Sequence, residues 1–187
     1  MAHPSHIIGF DDTPFAKTHR GDVTVVGAIF TLTRLDGVVC GKVRRDGANA
    51  TQRLATLVSE SRFRDHLQLI MLQGIALGGF NVVDIHRLFD ETGLPVMVVC
   101  RKRPDLAAVR RALMEKVSGG KRKWNLIQKA GEPQPMAGVH VQRAGIDAET
   151  ALRVIGCTAV HSTVPEPLRT AHIIASGITP RRSRQRV

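Results

Sequence analysis

Two adjacent carboxylates, Asp11 and Asp12, close the apolar stretch in "HIIGFDDTPF" (residues 6–15). Asp is a poor strand former, and like charges side by side repel. A turn ahead of Thr-Pro would tolerate the pair. A divalent cation would want it, because Mg²⁺ takes oxygen ligands and keeps water and phosphate oxygens in its other positions. Metal-assisted phosphodiester hydrolysis asks for an acid at the end of a central strand and others brought in from distant parts of the chain. The remaining acids divide by context. Asp46 stands where a third strand gives way to a helix, and serves a turn, a helix cap or a site equally. Asp84 falls within a helix expected over 78–92, facing either the site or water. Asp36 precedes Gly37 and reads as hairpin chemistry. Asp90, Glu91 and Asp105 read as helix-end charges. The eight His show no metal-ligand spacing. His172, three residues after Arg169, reads as helix surface as readily as catalysis.

Charge selects the class of partner. Lys and Arg number 27 against 16 Asp and Glu, a net charge of +11. The excess gathers at 42–45, 101–103, 110–111, 119–123 and in the tail "PRRSRQRV" (180–187). Such clustering favours a polyanion, and nucleic acid above all. The apolar runs "VTVVGAIF" and "LPVMVVC" are far below the roughly 18 residues that suggest a membrane span. His3, His6, Asp11 and Asp12 interrupt any secretion signal. Three widely spaced cysteines, with no zinc spacing, fit a reduced, cytoplasmic setting. "GIALGGFNVVD" is neither a P-loop nor GxGxxG, which argues against a nucleotide cofactor. Its glycines would still let backbone approach a phosphate.

These residues need elements to hold them. Strands are expected over 6–10, 23–32 and 38–45, with Asp36-Gly37 as the turn of an antiparallel meander. Helical spacing of Leu54, Leu57 and Val58 follows. Strands at 67–73 and 95–100 alternate with helices ending near Gly93 and spanning 103–117. An extended segment (137–145) and helices at 147–156 and 165–177 complete the chain. The basic stretch within 118–136 reads as a mobile insertion. The order is a three-stranded antiparallel meander followed by βαβ units, an α/β mixed sheet with helices on both faces. Its closest architecture is the ribonuclease H-like fold, in one domain over 1–179, with 180–187 as a basic, flexible tail.

In that order, "IIGFDDTPF", "RRDGANAT", "IMLQGIALGGFNVVDI", "TGLPVMVV", "RKRPDL" and "VPEPLRTAHIIASGI" resemble the endonuclease dU family, which is similar to endonuclease V. The resemblance covers about residues 6–178. It implies a ribonuclease H-like, metal-dependent endonuclease acting on DNA that carries deoxyuridine, a deaminated base. By the same resemblance Asp11 is the first-strand acid and Asp46 the acid at the helix entrance, where endonuclease V has a glutamate. Gln73-Gly74 stands where endonuclease V has its third acid, in an Asp-Gly pair. A neutral amide offers a carbonyl oxygen to a metal and gives up a charge.

The expected site follows. Asp11 and Asp46 are the catalytic pair. Asp11, Asp46, Asp12, Asp84 and Gln73 are candidate ligands for Mg²⁺ or Mn²⁺. Gly74, Gly78, Gly79, Phe80 and Asn81 are candidates for a pocket that takes a displaced base. Arg101, Lys102, Lys121, Arg122 and Arg169 are candidates for the nucleic-acid backbone. Glu166 would brace the last helix. The alternatives are a nucleic-acid-binding protein with a degenerate, non-catalytic site, motivated by Gln73, and a nuclease acting on RNA, because fold does not fix substrate.

Overall fold

Asp11 ends a strand that is buried on both faces, as a central strand must be: β1 (His6–Asp12) is covered from Ile7 to Asp11. The computed structural model describes residues 4–179, so the expected tail at 180–187 lies outside the described residues. β1 pairs antiparallel with β2 (Asp22–Thr31), and β2 with β3 (Arg34–Arg44). This is the expected meander. The turn is Leu32–Thr33 rather than Asp36-Gly37, and Leu32 takes the positive φ of 55°. Asp36 is instead the extra residue of a β-bulge, where the register shifts between Ile29 and Phe30. Its carboxylate accepts from Thr31 Oγ1 and Arg34 Nε, bonds that hold the bulge beside the turn.

Beyond the meander, α1 (Ala50–Ser59) leads to β4 (Leu69–Gln73), which lies parallel to β1. A two-stranded ribbon of β5 (Ala76–Leu77) and β6 (Asn81–Val82) precedes α2 (Ile85–Thr92). β7 (Val96–Cys100) then pairs parallel to β4, closing a βαβ unit. Asp84 is the N-cap of α2, outside the helix it was expected to occupy, and accepts the Arg87 backbone N–H. The chain continues through α3 (Leu106–Lys116) and α4 (Gly120–Lys129). α4 replaces the expected mobile insertion. β8 (Gln134–Met136), β9 (Val139–Ala144), α5 (Ala148–Thr158) and α6 (Glu166–Ile178) finish the fold.

The seven-stranded sheet runs β3-β2-β1-β4-β7-β9-β8. Strand alternation sends Ile8, Phe10, Ile70 and Leu72 to one face, under Leu54, Val58, Ile85 and Leu88 of α1 and α2. It sends Ile7, Leu69, Met71, Met97 and Val99 to the other, under α5 and Leu168 of α6. Helices cover both faces. The carboxyl ends of the parallel strands β1, β4 and β7 all reach one edge of the sheet, the side on which open α/β sheets bind ligands.

Candidate active site

The same alternation separates the two adjacent acids. Asp11 shares the face of Ile7 and Gly9, beneath α6; Asp12 shares the face of Phe10, toward α1. α6 lies on β1 at van der Waals distance because position 9 is glycine. A Cβ there would sit 2.5 Å from the Pro167 backbone carbon. From that contact the helix climbs about 7.5 Å in five residues, and the strand about 6.6 Å in two. The near-equal advance brings His172 over Asp11, and its Nδ1 lies 2.8 Å from Asp11 Oδ2. Asp11 is 6% exposed. Its other oxygen accepts the Asp12 backbone N–H at 2.9 Å. Burial raises the Asp11 pKa, and the His172 contact opposes that rise. With a carboxylate accepting, Nδ1 carries the proton, and Nε2 of the largely exposed ring is left for a substrate. Sequence spacing alone leaves His172 undecided. Only the Gly9–Pro167 contact sets its reach.

Gln73 ends β4, one residue past the last β1–β4 pair, Phe10 with Leu72, as Asp11 follows Phe10 in β1, and by alternation both fall on the α6 face. Gln73 Oε1 is buried with no hydrogen-bond partner among the described residues. A buried carbonyl oxygen in that condition is uncommon and calls for a donor or a cation. Gly74 follows at φ 82°, with open space where a Cβ would stand.

The other acids do different work. Asp12 Oδ2 accepts the Gly78 N–H at 2.9 Å. Asp46, at φ 50°, donates its own N–H to Gly78 O and accepts the Phe80 N–H on Oδ1, at 2.9 and 2.8 Å. Two carboxylates thus pin the turn at Gly78–Phe80 from opposite sides. Asp46 Oδ2 lies 3.3 Å from Arg45 Nε. Asp84 caps α2 and pairs with Lys129 at 3.2 Å. Among the described residues no three His, Cys, Asp or Glu gather as a metal site. Of the five expected ligands, Asp11 and Gln73 stand at the carboxyl ends of neighbouring strands on the face of α6, and Asp12 adjoins on the opposite face, while Asp46 bonds the Phe80 turn and Asp84 caps α2. Asn81 is also withdrawn from the expected base pocket. It is fully buried, its amide donates to Arg44 O and Asn49 Oδ1, and its oxygen accepts the Ala50 N–H. Gly79 is exposed and Phe80 half-buried at the same turn.

Of the basic candidates, Arg101 and Lys102 are exposed just past β7, on the edge where Asp11 lies. Lys121 and Arg122 are exposed on α4. Arg169 is withdrawn from phosphate contact, because its Nε and Nη2 grip the buried Glu166 at 2.9 and 2.8 Å. Glu166 also accepts the His161 N–H, so the pair braces the start of α6 as expected. Lys123 was expected on the basic surface. It is buried, and donates from Nζ to the Asp46 carbonyl oxygen. With Asp46, Asp84, Val82, Arg122 and Leu126 it lines a cavity of about 330 Å³ under α4.

Comparison with known proteins bears on this geometry. Residues 3–179 match the family model described as Endonuclease dU. A UPF0215 protein of Deinococcus radiodurans is 55% identical over 175 residues, covering 94% of this chain and 89% of that protein. A crystal structure of a protein of unknown function from Archaeoglobus fulgidus superposes with a TM-score of 0.86 at 32% identity, covering 92% of this chain and 97% of that one. The Ciona intestinalis endonuclease V, in complex with DNA containing an inosine, superposes with a TM-score of 0.57 at 12% identity, covering 90% and 83%. At that identity the likeness shows a shared fold, the ribonuclease H-like mixed sheet.

Proposed function

The chain belongs to the endonuclease dU family, and from that premise we propose that it is a divalent-metal-dependent endonuclease which hydrolyses DNA phosphodiesters at deaminated bases, deoxyuridine first among them. The observation that carries this reading is the contact of a buried Asp11 with His172 at the carboxyl end of β1, with Gln73 and its unpaired Oε1 ending the neighbouring parallel strand on the same face. The donor types fit a hard cation, which takes carboxylate and amide oxygens and fills its other positions with water. Asp11 and Gln73 would hold Mg²⁺ or Mn²⁺, which when bound supplies an activated water and a countercharge for the leaving oxygen. His172 keeps Asp11 oriented through Nδ1, and its exposed Nε2 is free to hold a proton at a phosphate oxygen. Asp12 and Asp46 act on substrate through the turn they hold. DNA complexes of endonuclease V of the same fold support a nucleic-acid partner. Among the described residues no helix is long and apolar enough to cross a membrane.

The test is cleavage of end-labelled single- and double-stranded DNA carrying one deoxyuridine, beside inosine-containing and undamaged controls, in Mg²⁺, Mn²⁺ or chelator. Metal-dependent cutting near the lesion, abolished in Asp11→Ala, is the expected result. A second reading, a nucleic-acid binder that does not cut, is favoured by Gln73 standing where a third carboxylate would complete the site. Salt-sensitive binding without cleavage in any metal would select it and sink the first.

A further inference from the structure

The cavity under α4 has a feature that phosphodiester cleavage does not use. Lys123 is 5% exposed, and lysine is almost never that buried without a purpose for its charge. Desolvation lowers its pKa, and the neighbouring Asp46 opposes the shift. Its ammonium has three donors. One goes to the Asp46 carbonyl oxygen, and the other two meet no protein acceptor among the described residues. The carboxylates on the cavity wall are already engaged: Asp46 by Phe80 N–H and Arg45, Asp84 by Arg87 N–H and Lys129. The uncapped N-terminus of α4, at Ser118 and Gly119, forms part of the same wall and adds partial positive charge. Val82 and Leu126 supply apolar surface. The cavity therefore offers donors and apolar walls, with its two carboxylates each already facing a cation. Its volume is at the small end of ligand sites, suited to a single ring.

We propose that this cavity receives the displaced base, and that Lys123 reads it by donating to the exocyclic oxygen that deamination creates. The inference rests on the function proposed above. Deamination replaces an exocyclic amine, a donor, with a carbonyl oxygen, an acceptor. A wall of donors satisfies the second and leaves the first facing N–H with N–H, a mismatch of the kind that gives strong discrimination. Cytosine would be refused and uracil taken. Thymine carries the same oxygen, but in a duplex its adenine partner holds it in the stack, whereas a mispaired deaminated base comes out at lower cost. The path from chemistry to pocket is short. Asp12 adjoins Asp11 and bonds Gly78, Gly78 bonds Asp46, and Asp46 takes the Lys123 ammonium.

Binding in chelator reads the pocket apart from cleavage. Single-stranded oligonucleotides carrying one deoxyuridine or one deoxycytidine at the same place remove the cost of unpairing, leaving the base as the difference. The full chain is expected to prefer deoxyuridine. Lys123→Met is expected to lower that preference about tenfold, the loss of one charge-assisted hydrogen bond, with affinity for the deoxycytidine strand unchanged. Should Lys123→Met fail to fold, Ala48→Trp decides: Ala48 is exposed at the cavity's mouth, and a bulky side chain there is expected to abolish the preference by blocking entry. Preference retained in these variants would overturn the role of the cavity and leave the nuclease reading standing. An equal loss of affinity for both strands would also overturn it, marking Lys123 as a phosphate contact. If the unaltered protein shows no preference and cuts no lesion-bearing DNA, the nuclease reading itself fails, and this proposal fails with it.

Discussion

Asp11 and Asp12 differ by one residue and by one face of a strand, and that alone divides their work between His172 and the Gly78 turn. Both carboxyls are raised above the ordinary Asp value of 3.8, chiefly by burial; the neighbouring Asp11 charge adds to the rise at Asp12, which reaches about 6. The sign of the linkage follows. Between pH 3.8 and about 6 the folded chain keeps a proton on Asp12 that the unfolded chain has lost. Stability from this group is therefore complete at low pH and falls as pH rises through that window. Asp12→Asn keeps an acceptor for the Gly78 N–H and removes the charge. In chelator at pH 7 it should melt above the unaltered protein, by at most about 3 kcal/mol, and the difference should close by about pH 4. Thermal melts across that range decide it, and a lower melt for Asp12→Asn at pH 7 would mean that the charge is already compensated. His172→Ala tests the other face. It should reduce cleavage with a modest fall in melting temperature, because the ring is exposed and, among the described residues, its hydrogen bond goes to Asp11.

At the scale of elements, the site depends on α6 lying flat against β1, and Gly9 permits that contact. Gly9→Ala forces a Cβ into the Pro167 backbone, which no flexible side chain can relieve. Overpacking of this kind costs about 1–3 kcal/mol, and here it also lifts His172 off Asp11. The expected result is a lowered melt together with a loss of cleavage larger than that of His172→Ala. Cleavage as strong as in the unaltered protein would show that α6 does not set the site. The central strands were legible in the sequence because each is a short, unbroken apolar run bounded by polar or turn residues, as in "LIMLQ" and "VMVVC". α4 was not, for a reason with physical content. Its inward stripe is Gly120, Lys123, Trp124 and Ile127, so a lysine stands at a core position and the segment reads as a basic loop. Asp36 misled in the opposite way, because Asp-Gly is a turn dipeptide used here as a bulge. Asp11 stood out as a candidate from its place near a strand end. Its partnership with His172 crosses 161 positions and belongs to packing, which no local pattern encodes. Asp46 looked catalytic because it opens a helix, yet its carboxylate holds the turn at Phe80. Asp46→Asn keeps an oxygen for the Phe80 N–H and should retain most cleavage, whereas a ligand role would make it as inactive as Asp11→Ala.

Over the whole molecule, the fold brings basic residues from separate stretches of the chain to the carboxyl edge of the sheet. Asp12 pairs with Val25, and Asp22 with Arg44, so Arg44 and Arg45 lie at the level of the β1 carboxyl end. Arg101 and Lys102 follow β7 at the same edge, and Arg122 lines the α4 cavity beside Asp46. The opposite edge holds His6, His66 and the Arg34–Asp36 ion pair, with Arg62 over the Phe63 ring nearby. Phosphate neutralisation by each basic group makes the affinity fall with salt, at a slope near −0.9 per contact on duplex DNA. Reversing Arg101 and Lys102 together to Glu should flatten the log–log slope by about two and weaken binding to damaged and undamaged DNA alike. Both side chains are exposed, so the melting temperature should not change. Arg62→Glu, at the far edge, makes the same kind of charge reversal and should leave the slope where it was. If the Arg62 change flattens the slope as much as the paired change does, net charge and not its sorting governs DNA binding. If only the paired change does, the strand that reaches Asp11 crosses the carboxyl ends of β1, β4 and β7, and passes the mouth of the Lys123 cavity as it goes.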